Sequence, residues 1–180
     1  PIEQMLSIFT YLDRTKFNPI LITINEEPTD GTSQLERYLA QGVVHYHVPL
    51  SKINILTGRT KVLKQKLNEL NPSIVHSQGV FPDFALSMMK YPGHVMTLRN
   101  FVYEDYPVKY GKLQGNIMVR LHLYAMKHTE QTWTCSESLA NKYQKELNLK
   151  FPFVRNGVNV ANFTKVDINT KIITGAYILI

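Results

Sequence analysis

Hydrophobic positions along the chain follow two alternating periodicities. Short β-branched runs at 19–25 (PILITIN), 43–48 (VVHYHV), 74–77 (IVHS), 94–98 (HVMTL), 132–135 (TWTC) and 153–155 (FVR) are candidate strands. Several are apolar on both faces, which suits strands buried in a parallel sheet better than the strict alternation of a half-solvated one. Between them, apolar residues recur at helical spacing over 2–12, 33–40, 61–70, 82–89, 113–127 and 138–147. Strand alternating with helix predicts right-handed βαβ units in an α/β fold with a doubly wound, mostly parallel sheet. No internal repeat or low-complexity segment interrupts the pattern.

Both ends read as interrupted units. Residue 1 is Pro, and Ile2, Met5, Leu6, Phe9 and Leu12 are already at helical spacing, as if the chain entered a βα unit whose first strand is missing. Tyr177, Ile178, Leu179 and Ile180 form a new strand-like run, so a second domain is expected to start there.

Composition narrows the class. A chain of 180 residues is long enough for one domain with a substantial core. Its 44% hydrophobic and 19% charged residues argue against disorder, collagen-like or coiled-coil structure. The single cysteine, Cys135, excludes an internal disulfide framework and a multi-cysteine zinc site, and a reducing compartment is the natural reading. No run approaches the roughly 18 consecutive apolar residues of a membrane span, and no export signal is visible. The net charge of +6 favours an anionic partner, with phosphates, phospholipid and nucleic acid all open at this point.

In open α/β sheets ligands bind beyond the carboxyl ends of the strands, so the residues after each run are the ones to inspect. His76-Ser77-Gln78-Gly79 follows one run, with Pro82 placed to open the next helix. The polar and aromatic segment 97–106 reads as a loop, and Arg155-Asn156-Gly157 follows the last run. Each has a plain structural alternative. His76 fits a satisfied core histidine, and Asn156-Gly157 is a turn signal in its own right. Glu104 and Asp105 fit a solvated loop face, and Ser136 fits the cap of the helix that follows.

Absences also count. There is no G-x-S-x-G, no P-loop and no G-x-G-x-x-G, which weakens hydrolase, nucleoside-triphosphatase and dinucleotide readings. The five Asp, at 13, 30, 83, 105 and 167, form no D-x-D pair for a metal-diphosphate site.

The segment 108–127 contains Lys109, Lys112, Arg120 and Lys127 and no acid. Leu113, Ile117, Leu121 and Tyr124 are expected on one helical face, with Lys112, Asn116, Arg120 and Lys127 near the opposite one. Such a helix fits an anionic membrane surface or a phosphate-bearing acceptor, or simply a solvated basic face. Nucleic acid fits less well, since no stacking platform interleaves the cations.

Taken in order and spacing, these segments resemble the N-terminal domain of bacterial family 4 glycosyltransferases of the GT-B fold. Ile2-Glu3-Gln4-Met5-Leu6 with Tyr11-Leu12-Asp13-Arg14 is similar to that domain's first helix, and Ser73-Ile74-Val75-His76-Ser77-Gln78-Gly79 to its "D-I-V-H-S-H-G". Thr97-Leu98-Arg99-Asn100 resembles "T-x-H-N", and Thr134-Cys135-Ser136-Glu137-Ser138-Leu139-Ala140 resembles "x-x-S-x-x-L-A". Arg155-Asn156-Gly157-Val158-Asn159 with Phe163 is similar to "x-N-G-V-D…F". Arg99 stands where the family has His, Gln78 where it has the second His and Asn159 where it has Asp.

The resemblance implies a Rossmann-like acceptor-side domain over 1–165, with 166–180 as linker and start of a truncated donor-binding domain. It implies retaining transfer of a sugar from a nucleotide-sugar to a cell-surface glycan or lipid-linked acceptor, without a metal or other cofactor. Gly79, Arg99, Asn100, Glu104, Ser136, Asn156 and Gly157 are the implied substrate-binding residues. Lys112, Arg120 and Lys127 are the candidates for a membrane surface, which would make the protein cytoplasmic and peripheral at the inner face of the plasma membrane. The chain by itself is then expected to be inactive. A GT-B nucleotide-sugar epimerase and a non-catalytic sugar- or lipid-binding module are the alternatives.

Overall fold

In the computed structural model the described residues are 2–24, 26, 28 and 30–157. They form an α/β structure with parallel strands in two small sheets. The chain runs α1 (Ile2–Tyr11), β1 (Ile20–Thr23), α2 (Leu35–Leu39), β2 (Val44–His47), α3 (Lys52–Leu56), α4 (Lys61–Leu70) and β3 (Val75–Ser77). It continues with α5 (Val80–Met89), β4 (His94–Leu98), α6 (Val102–Tyr110), α7 (Lys112–His128), β5 (Gln131–Thr134) and α8 (Glu137–Leu147). β1 pairs with β2 from Ile20 opposite Val44. β4 lies between β3 and β5, with Val75 opposite His94 and Leu98 opposite Thr134. The expected strand 153–155 is reduced to one parallel bridge, Phe153 to Thr134. Asn25, Val158, Asn159, Phe163, the 166–180 segment and the strand-like run at 177–180 lie outside the described residues.

Three apolar clusters hold these elements. Met96, Leu98, Val102, Val119, Met126 and Tyr143 join β4, α6, α7 and α8. Val48, Ile55, Leu63, Leu67 and Phe84 join α3, α4 and α5. Leu6, Phe9, Tyr38 and Val43 pack α1 on α2. Sealing these side chains from water supplies the main driving force, at roughly 1.5–3 kcal/mol per fully buried large aliphatic or aromatic group.

Three sequence expectations need correction. Segment 97–106 is not a loop: α6 starts at Val102, whose side chain is buried one turn before that of Tyr106. Glu104 and Asp105 sit in the first turn, where negative charge complements the helix dipole. Helix α5 opens at Val80 rather than Pro82, and the proline lies in the first turn, where its missing N–H costs no intrahelical hydrogen bond.

The third correction concerns α7. Its buried face is Gly115, Val119, His122, Ala125 and Met126, whereas Leu113 is 79% exposed and Ile117 49%. Residues seven apart are only ~20° apart around a helix, so Arg120 is beside Leu113 and not opposite it. A basic stripe and an exposed apolar stripe therefore adjoin on the outer side of α7.

The turn from α6 to α7 is tight. Gly111 has φ 78°, and a Cβ on Gly115 would meet the Pro107 backbone at 2.5 Å. Only glycine permits that approach.

Candidate functional site

A cleft of about 950 Å³ opens beyond the carboxyl ends of β3 and β4. The strand ends give it Gln78, Thr97, Arg99, Asn100, Cys135 and Asn156, and helices add further polar groups, among them Lys52 and Lys109. Its apolar lining comes from the helices, including Leu56 of α3, Phe81 of α5 and Ile117, Met118 and Leu121 of α7.

Arg99 ties the strand-end residues together. Its Nε donates to Gln78 Oε1 at 3.1 Å and its Nη1 to Asn156 Oδ1 at 3.2 Å. Both acceptors are neutral, and no carboxylate among the described residues pairs with it. Partial burial lowers the guanidinium pKa, yet an arginine stays charged at any physiological pH. It therefore presents a fixed positive charge with N–H donors to spare.

Gly79 is the N-cap of α5 at φ 99°, a conformation that favours glycine. It has no side chain to occupy the first amides of the helix, so an incoming group could approach the backbone there. Asn100 lines the cleft, donates from Nδ2 to Asp105 and accepts the Tyr143 hydroxyl on its carbonyl at 2.9 Å. Asn156 lines the cleft as the partner of Arg99. The Gly157 carbonyl accepts from Gln4 Nε2 at 3.1 Å, tying the end of the described chain to α1.

Three of the predicted substrate-binding residues do not line the cleft: Glu104, Ser136 and Gly157, the last with its carbonyl held by Gln4. Glu104 pairs with Lys142 of α8 on the surface and does not line the cleft. Ser136 is the N-cap of α8, accepting from the Leu139 amide at 3.2 Å, so the capping alternative is the one observed. His76 is exposed on β3 rather than buried in the core, with Nε2 2.9 Å from Thr97 Oγ1. Lys112, Arg120 and Lys127 are all exposed on α7.

Sequence reasoning missed a second polar group beneath the same cleft. Asp83, only 1% exposed, accepts from Ser77 Oγ at 2.5 Å on Oδ1, and its Oδ2 is 3.0 Å from His122 Nε2. The other ring nitrogen of His122 lies 2.6 Å from the Tyr106 hydroxyl, which burial pushes far above the usual phenol range and so keeps protonated. His94 Nε2 is 2.7 Å from Ser77 Oγ, and burial holds the pKa of His94 below the ordinary histidine value.

Ser77, Asp83 and His122 are the residue types of a hydrolytic triad with the wrong contacts. A nucleophilic serine must give its proton to its histidine base, whereas Ser77 donates to the acid, so it can only accept at its contact with His94, and it is 5% exposed. The one sequence signal for this group is polar residues on buried helix faces, Asp83 and Ser87 on α5 and His122 on α7.

Among the described residues no group of three or more His, Cys, Asp or Glu is placed to hold a metal ion, and no helix is long and apolar enough to cross a membrane. No family model, curated protein or solved structure matches the chain.

Proposed function

We propose that the chain is the acceptor-side domain of a retaining glycosyltransferase of GT-B architecture, using a nucleotide-sugar donor and a glycan or lipid-linked acceptor. The observation that carries this reading is the convergence of three separate loops on one cleft. Gln78 after β3, Arg99 after β4 and Asn156 after the Phe153 bridge meet by hydrogen bonds at the carboxyl ends of parallel strands. That is where open α/β sheets bind ligands. On this reading the two small sheets belong to one doubly wound, Rossmann-like domain.

Sugar transfer from a nucleotide-sugar develops negative charge on the departing diphosphate and positive charge on the sugar ring. A fixed, unpaired guanidinium stabilises the first, because its donors are already oriented when the charge appears. Arg99 takes that role. Asn100 and Asn156 orient hydroxyl groups, and Gly79 lets a ligand reach the first turn of α5.

In the protein with its donor domain, Arg99→Ala should lower kcat/KM about 100-fold or more, a transition-state loss of ~2.7 kcal/mol. Steady-state kinetics with UDP- and GDP-sugars checks this, and a loss below threefold with folding intact would return Arg99 to an ordinary surface charge.

The outer side of α7 favours a peripheral place at an anionic membrane. Lys112, Arg120 and Lys127 adjoin the exposed Leu113 and Ile117, so cations and apolar side chains would meet the headgroup region together. At roughly 1 kcal/mol per cation, replacing all three by Gln should cut co-sedimentation with phosphatidylglycerol vesicles at least tenfold at low salt. Unchanged pelleting would leave the stripe a solvated helix face.

A further inference from the structure

The apolar part of the cleft is not needed to hold a sugar or a diphosphate. Leu56, Phe81, Ile117, Met118 and Leu121 line it, and Leu56 and Ile117 remain 44% and 49% exposed. Saccharides are bound by polar groups and the flat faces of aromatic rings. A wall of four aliphatic side chains and one phenyl ring instead gains from covering hydrocarbon, at about 25 cal/mol per Å² removed from water.

Two cations border this wall. Lys52 lies one turn before Leu56 on α3, with Nζ 5.5 Å from the centre of the Phe81 ring, and Lys109 lies beside Tyr110 at the end of α6. Both line the cleft, and neither has a carboxylate partner among the described residues. The cleft's two acids are engaged elsewhere, Asp83 with Ser77 and His122 and Asp105 with Asn100. Hydrocarbon-covering side chains with two ammonium groups that no carboxylate neutralises are complementary to an amphiphile with an anionic head.

We propose that the cleft binds a lipid phosphate, its hydrocarbon chain along Leu56, Phe81 and Ile117 and its phosphate between Lys52 and Lys109. This deepens the glycosyltransferase reading, on which it rests for the identity of the ligand as acceptor. The glycan carried by the lipid then points toward Arg99 and Asn156, and the outer side of α7 brings the cleft mouth to the membrane that holds the lipid.

Calorimetric titration with dodecyl phosphate below its micelle concentration, beside dodecyl maltoside and inorganic phosphate, tests the idea without turnover. The parent protein should bind dodecyl phosphate at least tenfold more tightly than either comparator. Ile117→Asp, at a position exposed enough to accept charge, should weaken dodecyl phosphate tenfold or more. The double variant Lys52→Gln/Lys109→Gln should weaken dodecyl phosphate and leave dodecyl maltoside unchanged. Phe17→Asp, outside the cleft, should change neither.

Equal affinity for dodecyl phosphate and inorganic phosphate, or an Ile117→Asp variant that binds dodecyl phosphate like the parent, overturns the proposal. So does loss of binding in Phe17→Asp. Failure here with sugar transfer to soluble saccharides intact would sink the lipid site and keep the transferase. Lipid-phosphate binding without any nucleotide-sugar-dependent transfer would do the reverse.

Discussion

Two polar clusters share one cleft and differ in how much of their hydrogen-bonding capacity is already spent. Beneath the surface, Asp83 Oδ1 accepts from Ser77, Asp83 Oδ2 lies 3.0 Å from His122 Nε2, and the second ring nitrogen of His122 has Tyr106. At the strand ends, Arg99 makes two bonds to amide oxygens and keeps N–H donors in reserve. A buried group must be satisfied by the protein, since an unmade hydrogen bond there costs about 1–3 kcal/mol. A group facing a cleft can be satisfied by water until a ligand replaces it. Spent capacity therefore marks the cluster that holds the fold, and reserve capacity the one that meets a ligand.

The strongest way to break this contrast is Asp83→Ala. The buried Ser77 Oγ loses its acceptor and His122 Nε2 the carboxylate 3.0 Å away, so stability in urea denaturation should fall by about 2 kcal/mol. A loss under ~1 kcal/mol would mean that the buried cluster is not structural.

Acid should produce a smaller loss through His94. Burial lowers its pKa in the folded protein, so as pH falls below the unfolded value near 6.5 the unfolded chain binds more protons than the native one. Stability then declines with falling pH, and is fully present above about pH 6.5. Urea midpoints at pH 7.5 and 5.5 measure this, and His94→Gln, which has no titrating ring, should flatten that part of the dependence.

The smallest effect sharpens the comparison from the other side. Arg99→Gln should leave stability within about 0.5 kcal/mol of the parent, because its present partners are half-exposed amides that can turn to water. A large stability loss would assign Arg99 to the scaffold and remove the contrast.

Residue by residue, legibility followed how local the determining interaction is. β4 was readable at 94–98 and α4 at 61–70 because each has an unbroken period and its partners only confirm it. α3 was missed because its apolar residues Ile53, Ile55 and Leu56 mix a spacing of two with one of three, although Ser51 caps it by accepting from the Asn54 amide. α6 was hidden by Pro107, which reads as a breaker, and by polar residues that serve its first turn. The separation of the strands into two sheets depends on pairing between distant segments, which periodicity does not encode. Arg99, Asn100 and Asn156 were legible from their positions after strands, whereas the contact of Asp83 with His122 joins two helices remote in sequence, each of which looks ordinary alone.

The contact between Gly115 and Pro107 gives the α6–α7 pair the character of a riveted joint. Backbone touches backbone there, so neither helix can slide or roll without first lifting off the other. Lys109, Tyr110, Gln114 and Ile117 flank that joint and line the cleft. That close approach, with the Tyr106–His122 contact, sets their positions. A methyl group at 115 would act as a shim: it would leave every cleft side chain in place chemically and still change the width of the opening they frame.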